Sequence, residues 1–349
     1  MAEPSPTKPS IYDLDQTQLQ NLLTDWGEPA YRGTQVWQGI YKQLWNSPVN
    51  FTSLSKQLRQ RLEVEFSFSS MNPEIVMKSI DQNTVKTLFR LEDHKAIEAV
   101  LMQYNKRNTL CISSQAGCGM GCVFCATGQM GLKRNLTSGE IVEQVLYHAR
   151  HLRELGEVVT NVVVMGMGEP FHNYDATIQA LDRLNDNGGF NLGARRFTIS
   201  TVGLVPAIRR FASERHQYNL AVSLHAAEDE LRSSLLPINK KYPLSELLDA
   251  CRNYVEQTRR RITFEWALIQ DVNDSPDQAR ILAGRVKGML CHVNVIPLNP
   301  TPMFNGSGTS IQRAELFREE LQSHGIPCTV RLRRGIEIQA GCGQLAVQA

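Results

Sequence analysis

Residues 109–125 read Thr-Leu-Cys-Ile-Ser-Ser-Gln-Ala-Gly-Cys-Gly-Met-Gly-Cys-Val-Phe-Cys. The first six are strand-like, and the last eight hold Cys118, Cys122 and Cys125 on a glycine-softened loop. Working outward, short apolar runs recur at 158–166, 195–201, 218–225, 261–269 and 291–299, rich in Val, Ile and Phe as buried strands are. Between them the apolar spacing turns helical at 138–155, 174–186, 204–214, 244–259, 276–289 and 311–324. Thr137 ahead of Glu140, and Ser275 ahead of Pro276, are helix-start signals. Six alternating units predict an α/β fold, a parallel sheet with helices on its outer face. Six is short of the eight that close a barrel, so a partial (β/α)6 barrel or a doubly wound sheet is expected. In both, a ligand site belongs at the C-terminal ends of the strands.

Upstream the texture differs. Residues 1–10 are Pro-, Ser- and Lys-rich and read as a disordered tail. Residues 11–70 form a small helical accessory domain, with stripes at Leu19, Leu22 and Leu23, at Val36, Trp37, Ile40 and Tyr41, and at Leu54, Leu58 and Leu62. Residues 71–106 read as a short β extension of three antiparallel strands, leading into a core over 107–349.

Composition narrows the class. The 349 residues carry 37 Lys+Arg against 35 Asp+Glu, so net charge alone points to no polyanionic partner. Eight cysteines are too sparse for a disulfide scaffold. No apolar run approaches the roughly 18 residues of a membrane span, and the polar N-terminus lacks a signal-peptide core, so a cytoplasmic, non-membrane protein is expected. Its cysteines should then be reduced, catalytic or metal-bound.

Three thiols spaced three and then two residues apart can wrap three corners of an iron–sulfur cube. One iron is left without a protein ligand, open to a substrate. A zinc site is the alternative, but it normally closes with four ligands in two pairs, and the chain has no second Cys-x2-Cys.

Cys118, Cys122, Cys125 and Phe124 resemble the cluster motif of the radical S-adenosylmethionine (SAM) superfamily. The segments TLCISSQAGCGMGCVFCATG, GLKRNLT, VVVMGMGEP, STVGLVP, LAVSLHA, IPLNP and AGCGQL together resemble the RlmN/Cfr family of RNA adenine methyltransferases. The resemblance is close over 98–345 and loose over the helical module. It implies a partial barrel with a helical accessory domain, a [4Fe–4S] cluster held by Cys118, Cys122 and Cys125, and SAM on the open iron, where one electron cleaves it to a 5′-deoxyadenosyl radical. It implies that Gly168, Glu169, Ser200, Ser223, Leu224, His225 and Asn299 line the SAM site, each near a strand end. Adenine carbon 2 is electron-poor and cannot attack a sulfonium methyl, so the family works indirectly. By resemblance Cys342 takes a methyl from one SAM, and a radical from a second SAM removes a hydrogen from that S-methyl. The carbon radical then adds to the base, and Cys111 releases the product through a disulfide with Cys342. Glu98 aligns with the base that takes the ring proton.

Arg331, Arg333 and Arg334 lie near enough in sequence to help Cys342 ionise. Cys251, Cys291 and Cys328 match nothing and read as small core residues. Short basic groups at 133–134, 195–196, 209–210, 240–241 and 259–261 allow RNA contact but equally describe solvated faces. Loop 299–310 is either a substrate cover or a connector. The resemblance implies adenosine 2503 of 23S rRNA and adenosine 37 of certain tRNAs as substrates, a flavodoxin or ferredoxin as electron donor, and a monomer. Three rivals stand beside it: Cfr-type methylation at carbon 8, a non-catalytic iron–sulfur or zinc RNA-binding protein, and a radical SAM enzyme for a small molecule.

Overall fold

A computed structural model describes residues 8–331 and 334–347. Most of the expected tail, and Arg333 of the arginine group, therefore lie outside the described residues. Lys8 to Ser10 do not trail: the Pro9 carbonyl accepts from the Ser67 amide at 2.9 Å, and Lys8 Nζ reaches the Glu63 carbonyl at 2.8 Å.

Helices α1 (Gln16–Asp25), α2 (Tyr31–Tyr41) and α3 (Lys56–Glu65) form the N-terminal module. Each buries its apolar stripe, Leu19 and Leu23, Val36, Trp37 and Ile40, and Leu58 and Leu62. Strands β1 (Met71–Lys78), β2 (Thr84–Leu91) and β3 (Ala96–Tyr104) are antiparallel neighbours. They are not a detached extension. β3 pairs antiparallel with β4 (Arg107–Cys111), and β4 pairs parallel with β7 (Asn161–Val164), so all belong to one ten-stranded sheet. Beyond β7 run β8 (Phe197–Thr201), β9 (Asn219–Ser223), β10 (Ile262–Leu268), β11 (Cys291–Pro297) and β12 (Cys328–Val330), all parallel. β4, β7, β8, β9, β10 and β11 are the six expected strands. β12 is a seventh of three residues, too short to carry a periodic signal.

Helices α5 (Ser138–Glu154), α6 (Tyr174–Asn185), α7 (Val205–Glu214), α9 (Leu244–Thr258), α10 (Pro276–Val286) and α11 (Ile311–Ser323) alternate with these strands, and the short α8 (Asp229–Leu235) is added after β9. α5 opens on the expected capping box: the Glu140 amide donates to Thr137 Oγ1 at 3.1 Å, and the Thr137 amide donates to Glu140 Oε2 at 2.9 Å. The sheet is linear in its pairing, β1 at one edge and β12 at the other, as an unclosed barrel requires.

The cysteine loop does not simply follow the first strand. β5 (Gln115–Cys118) pairs with β6 (Gly131–Asn135) in a separate hairpin, and the loop runs from the end of β5 to the single turn α4 (Ala126–Gln129). Phe124, Val202, Leu235, Leu236, Ile269 and Leu298 form a small apolar cluster beneath this loop, distinct from the main core.

Candidate active site

A cavity of about 240 Å³ lies inside the curve of the sheet. It receives Cys111 from the end of β4, Glu169 from the turn after β7, Ser200 from β8, Ser223 and His225 from the end of β9, and Asn299 just past β11. The cysteine loop adds Cys118, Cys122 and Cys125, and the C-terminal segment adds Cys342. Successive strand ends converge on one point, as a parallel α/β sheet directs them. Two expected residues are absent from the lining. Leu224 is wholly buried, its amide bonded to the Glu265 carbonyl at 3.0 Å, so it serves the sheet.

Glu98 is the second. It does not face the cavity mouth, nor is it exposed. Its Oε1 meets Lys86 Nζ at 3.1 Å, both side chains being almost completely buried, and its Oε2 accepts from the Ala346 and Val347 amides at 3.0 and 3.4 Å. Glu98 thus braces the segment that carries Cys342.

Glu169 is buried, and its two oxygens are used by backbone: Phe171 N at 2.9 Å and Val202 N at 2.8 Å. Burial raises its pKa to about 7, with those amides pulling the other way. Gly168, at φ +101°, lines the cavity and also has a packing reason to be glycine: a Cβ there would stand 2.6 Å from Gln115 Cβ. Gln115 in turn accepts from the Glu169 amide at 2.8 Å and so fixes the turn. His225 Nδ1 accepts from the Ala267 amide at 2.8 Å, and burial lowers its pKa to about 3, so the ring is neutral with Nε2 protonated. Its edge meets Phe124 at 5.0 Å and 81°, which links the strand end to the cysteine loop.

Asn299 Nδ2 donates to the Cys342 carbonyl at 3.1 Å, while its buried Oδ1 has no partner among the described residues and can accept from a ligand. Gly341 permits that approach, since a Cβ would lie 2.5 Å from Asn299 Nδ2. Packing, as well as mobility, therefore explains a glycine beside Cys342. Loop 299–310 is pinned rather than loose: Gln270 N donates to the Ser307 carbonyl at 2.9 Å, and Thr301 Oγ1 to the Phe124 carbonyl at 3.4 Å.

Burial pushes all three loop thiols above the ordinary cysteine value, Cys118 to about 12. Thiolates there need a cation, and three soft donors on one flexible loop match an iron–sulfur cluster. Among the described residues no three His, Cys, Asp or Glu side chains sit close enough to share a single metal ion; a cube with three separate corner irons does not ask them to. With an orphaned Asn299 oxygen and a buried carboxylate across the same cavity, the residues fit a cluster and its amino-acid-bearing cosubstrate.

Cys111 and Cys342 are both free thiols and feel each other electrostatically across the cavity. Burial raises Cys111 to about 12; Cys342 is raised by its surroundings too, and Arg331 opposes that rise. Cys251, Cys291 and Cys328 are buried core residues. Among the cavity residues that escaped the sequence reading is one carboxylate. Glu265, the lone carboxylate in the apolar strand β10, is buried with Oε1 held by Asn294 Nδ2 at 3.0 Å and Oε2 unpartnered. A charged residue at an inward-facing strand position was the available signal.

The sequence matches the radical SAM superfamily model over residues 112–279 and the ribosomal RNA large subunit methyltransferase N-terminal domain model over 10–67. It is 50% identical to a probable dual-specificity RNA methyltransferase RlmN of Chloroflexus aurantiacus, covering 96% of this chain and 92% of that one. It is 47% identical to the dual-specificity RNA methyltransferase RlmN 1 of Myxococcus xanthus, over 98% and 95%. The crystal structure of a radical SAM methyltransferase from Sphaerobacter thermophilus superposes with a TM-score of 0.95 at 49% identity, covering 97% of this chain and all of that one. With cysteine loop, strand-end cavity and helical module each matched in order, the chain belongs to the RlmN family of radical SAM methyltransferases, enzymes that use a [4Fe–4S] cluster and SAM.

Proposed function

We propose that this enzyme methylates carbon 2 of an RNA adenine through an S-methylated Cys342, acting on adenosine 2503 of 23S rRNA and adenosine 37 of tRNA. The observation that carries this reading is the pair of free thiols, Cys111 and Cys342, in the same cavity as the cysteine loop. The names of the relatives, dual-specificity RNA methyltransferases, support the two RNA classes. Carbon 2 is taken over carbon 8 because it is the widespread housekeeping activity of the family resembled, the relatives' names giving no ring position.

Cys118, Cys122 and Cys125 would hold the cluster. Glu169, Ser200, Ser223, His225 and the free Asn299 oxygen would receive SAM, Glu169 pairing with its ammonium and Gly168 holding the Glu169 turn in place. When bound, this pair supplies one-electron hydrogen abstraction. Cys342 contributes a nucleophile on a short glycine-flanked turn, favoured as thiolate by Arg331. Cys111, at the end of β4, would form the disulfide with Cys342 that frees the methylated base. For the ring proton the residue implied by the resemblance is Glu98, whose carboxylate is held by Lys86 and the Ala346 amide behind the Cys342 segment, so this role requires that segment to move. The reading includes a reducing cytoplasm, a flavodoxin or ferredoxin as electron donor, and a monomer.

The test is to reconstitute the cluster anaerobically, supply SAM with a trideuterated methyl and an rRNA stem-loop, and weigh protein and digested RNA. The expected result is methylated Cys342 and 2-methyladenosine that retains two of the three deuteriums. Retention of all three, or an unmodified Cys342, overturns the route; the methyl on carbon 8 overturns the regiochemistry alone.

A further inference from the structure

The reaction chamber has a second end. Down β3, Val100, Met102 and Tyr104 all line it, and their β4 partners are Cys111, Thr109 and Arg107. From Val100 to Tyr104 the wall therefore passes from the C-terminal end of β4, where the cofactor residues cluster, to its first residue. At that far end Tyr104 and Arg334 also border a polar hollow of about 360 Å³, with Asn83, Asn108 and Glu157. Asn83 precedes β2, Asn108 is the second residue of β4 and Glu157 precedes β7, so the hollow lies at the N-terminal ends of the parallel strands, opposite the cysteine loop.

Tyr104 carries two cations there. The guanidinium carbons of Arg107 and Arg334 each lie 4.3 Å from its ring centroid. Among the described residues neither is in an ion pair. Arg334 donates to the Gln103 carbonyl at 3.4 Å, and Asp81 feels its charge without pairing to it. Glu157 is already engaged by Gln103 at 3.1 Å and Asn108 at 2.7 Å. Arg134 and Arg210 behave otherwise, Arg134 being paired with Asp93 and Glu140, and Arg210 with Asp175 and Glu214. Two like charges on one ring attract an anion, and Glu157, the carboxylate of the hollow, is held by neutral amides and pairs with neither.

We propose that Arg107 and Arg334, spaced by Tyr104, bind the phosphodiester backbone of the RNA at the end of the chamber opposite the cysteine loop, so that the target base enters from the N-terminal ends of the strands. This rests on the RNA-methylating function proposed above. Guanidinium groups suit phosphate oxygens in geometry and charge. An adenine that leaves its stack for a buried site brings its flanking phosphates to the rim, and this is the rim with two unpaired guanidinium groups. Tyr104 fixes the separation of the two cations.

The holoenzyme's affinity for the rRNA stem-loop is measured across a range of salt concentrations. Removing one cation that neutralises a phosphate lowers the steepness of log affinity against log salt by about 0.7 to 0.9. R107A and R334A are each expected to lower it by that amount, and R107A/R334A by about twice as much. R107K/R334K, which keeps the charges, restores most of the slope and shows that the alanine effect is not misfolding. An unchanged slope in R107A/R334A overturns the phosphate clamp. Weaker binding by Y104A, with every slope unchanged, overturns it in favour of base stacking on Tyr104. A wild-type enzyme without salt-dependent RNA affinity sinks the RNA reading itself.

Discussion

At Glu98 a single carboxylate is asked to serve structure and chemistry at once. Its pair with Lys86 is buried, so removing one partner strands the other charge away from water. Glu98→Ala is expected to destabilise the protein by about 3 kcal/mol or more, read from the denaturant midpoint. Lys86→Met combined with Glu98→Leu recovers most of that loss, because an apolar pair of similar size carries no desolvation cost. The double variant also separates the two roles. If it folds and still methylates RNA, Glu98 is a brace; if it methylates Cys342 but not RNA, the ring-proton role stands. Nothing in the sequence around residue 98 foretold this burial, since the partner lies on β2 and the pairing depends on strand register. Glu265 escaped for a similar reason: whether a strand carboxylate meets solvent or a cavity is decided by neighbours distant in sequence. The cysteines were legible because their spacing is itself the chemistry.

At the scale of elements, the parallel strands were readable from their apolar runs, and α5 and α10 from their caps. The β5–β6 hairpin was not. Gln-Ala-Gly-Cys and Gly-Leu-Lys-Arg-Asn have neither alternation nor branched residues, and the hairpin forms because glycine backbones pack together. Gly117 sits at φ +75°, and a Cβ there would be 2.0 Å from the Gly131 carbonyl oxygen. That neighbour is backbone, which cannot swing aside. Gly117→Ala should therefore displace the end of β5, and with it Cys118, the first cluster thiol. After anaerobic reconstitution the variant is expected to hold well under half the wild-type iron and sulfide per chain, with the barrel's circular dichroism retained. Full iron loading would mean that the loop tolerates a displaced Cys118 and that the hairpin does not position it.

Across the whole molecule, the N-terminal module is joined to the barrel by buried polar contacts as well as by a shared apolar core. Arg183 of α6 is the centre of that joint. Its Nη1 donates to the Tyr12 carbonyl at 2.8 Å and to Ser138 Oγ at 2.7 Å, and its Nη2 to the Asp13 carbonyl at 2.7 Å. Asp13 then accepts from the Gly139 amide at 2.7 Å, placing a carboxylate at the start of α5, where the helix dipole favours it. Arg150 and Arg153 of α5 bind the carbonyls of Leu44, Gln43 and Lys42 beyond α2, and Trp37 Nε1 reaches Asp186 at 2.9 Å. These bonds give the module one fixed seat on α5 and α6, the outer face of the strands that carry Cys111 and Glu169. Arg183→Met keeps most of the apolar bulk but leaves two buried carbonyls without a donor, each worth about 1–3 kcal/mol. The barrel's own strands lose nothing by it. Amide exchange should therefore accelerate in α1–α3 and at the start of α5, by about ten-fold or more, while β8–β11 keep their protection. Uniform acceleration across β8–β11 would mean that module and barrel open only together, and unchanged exchange would mean that the apolar packing alone holds the joint.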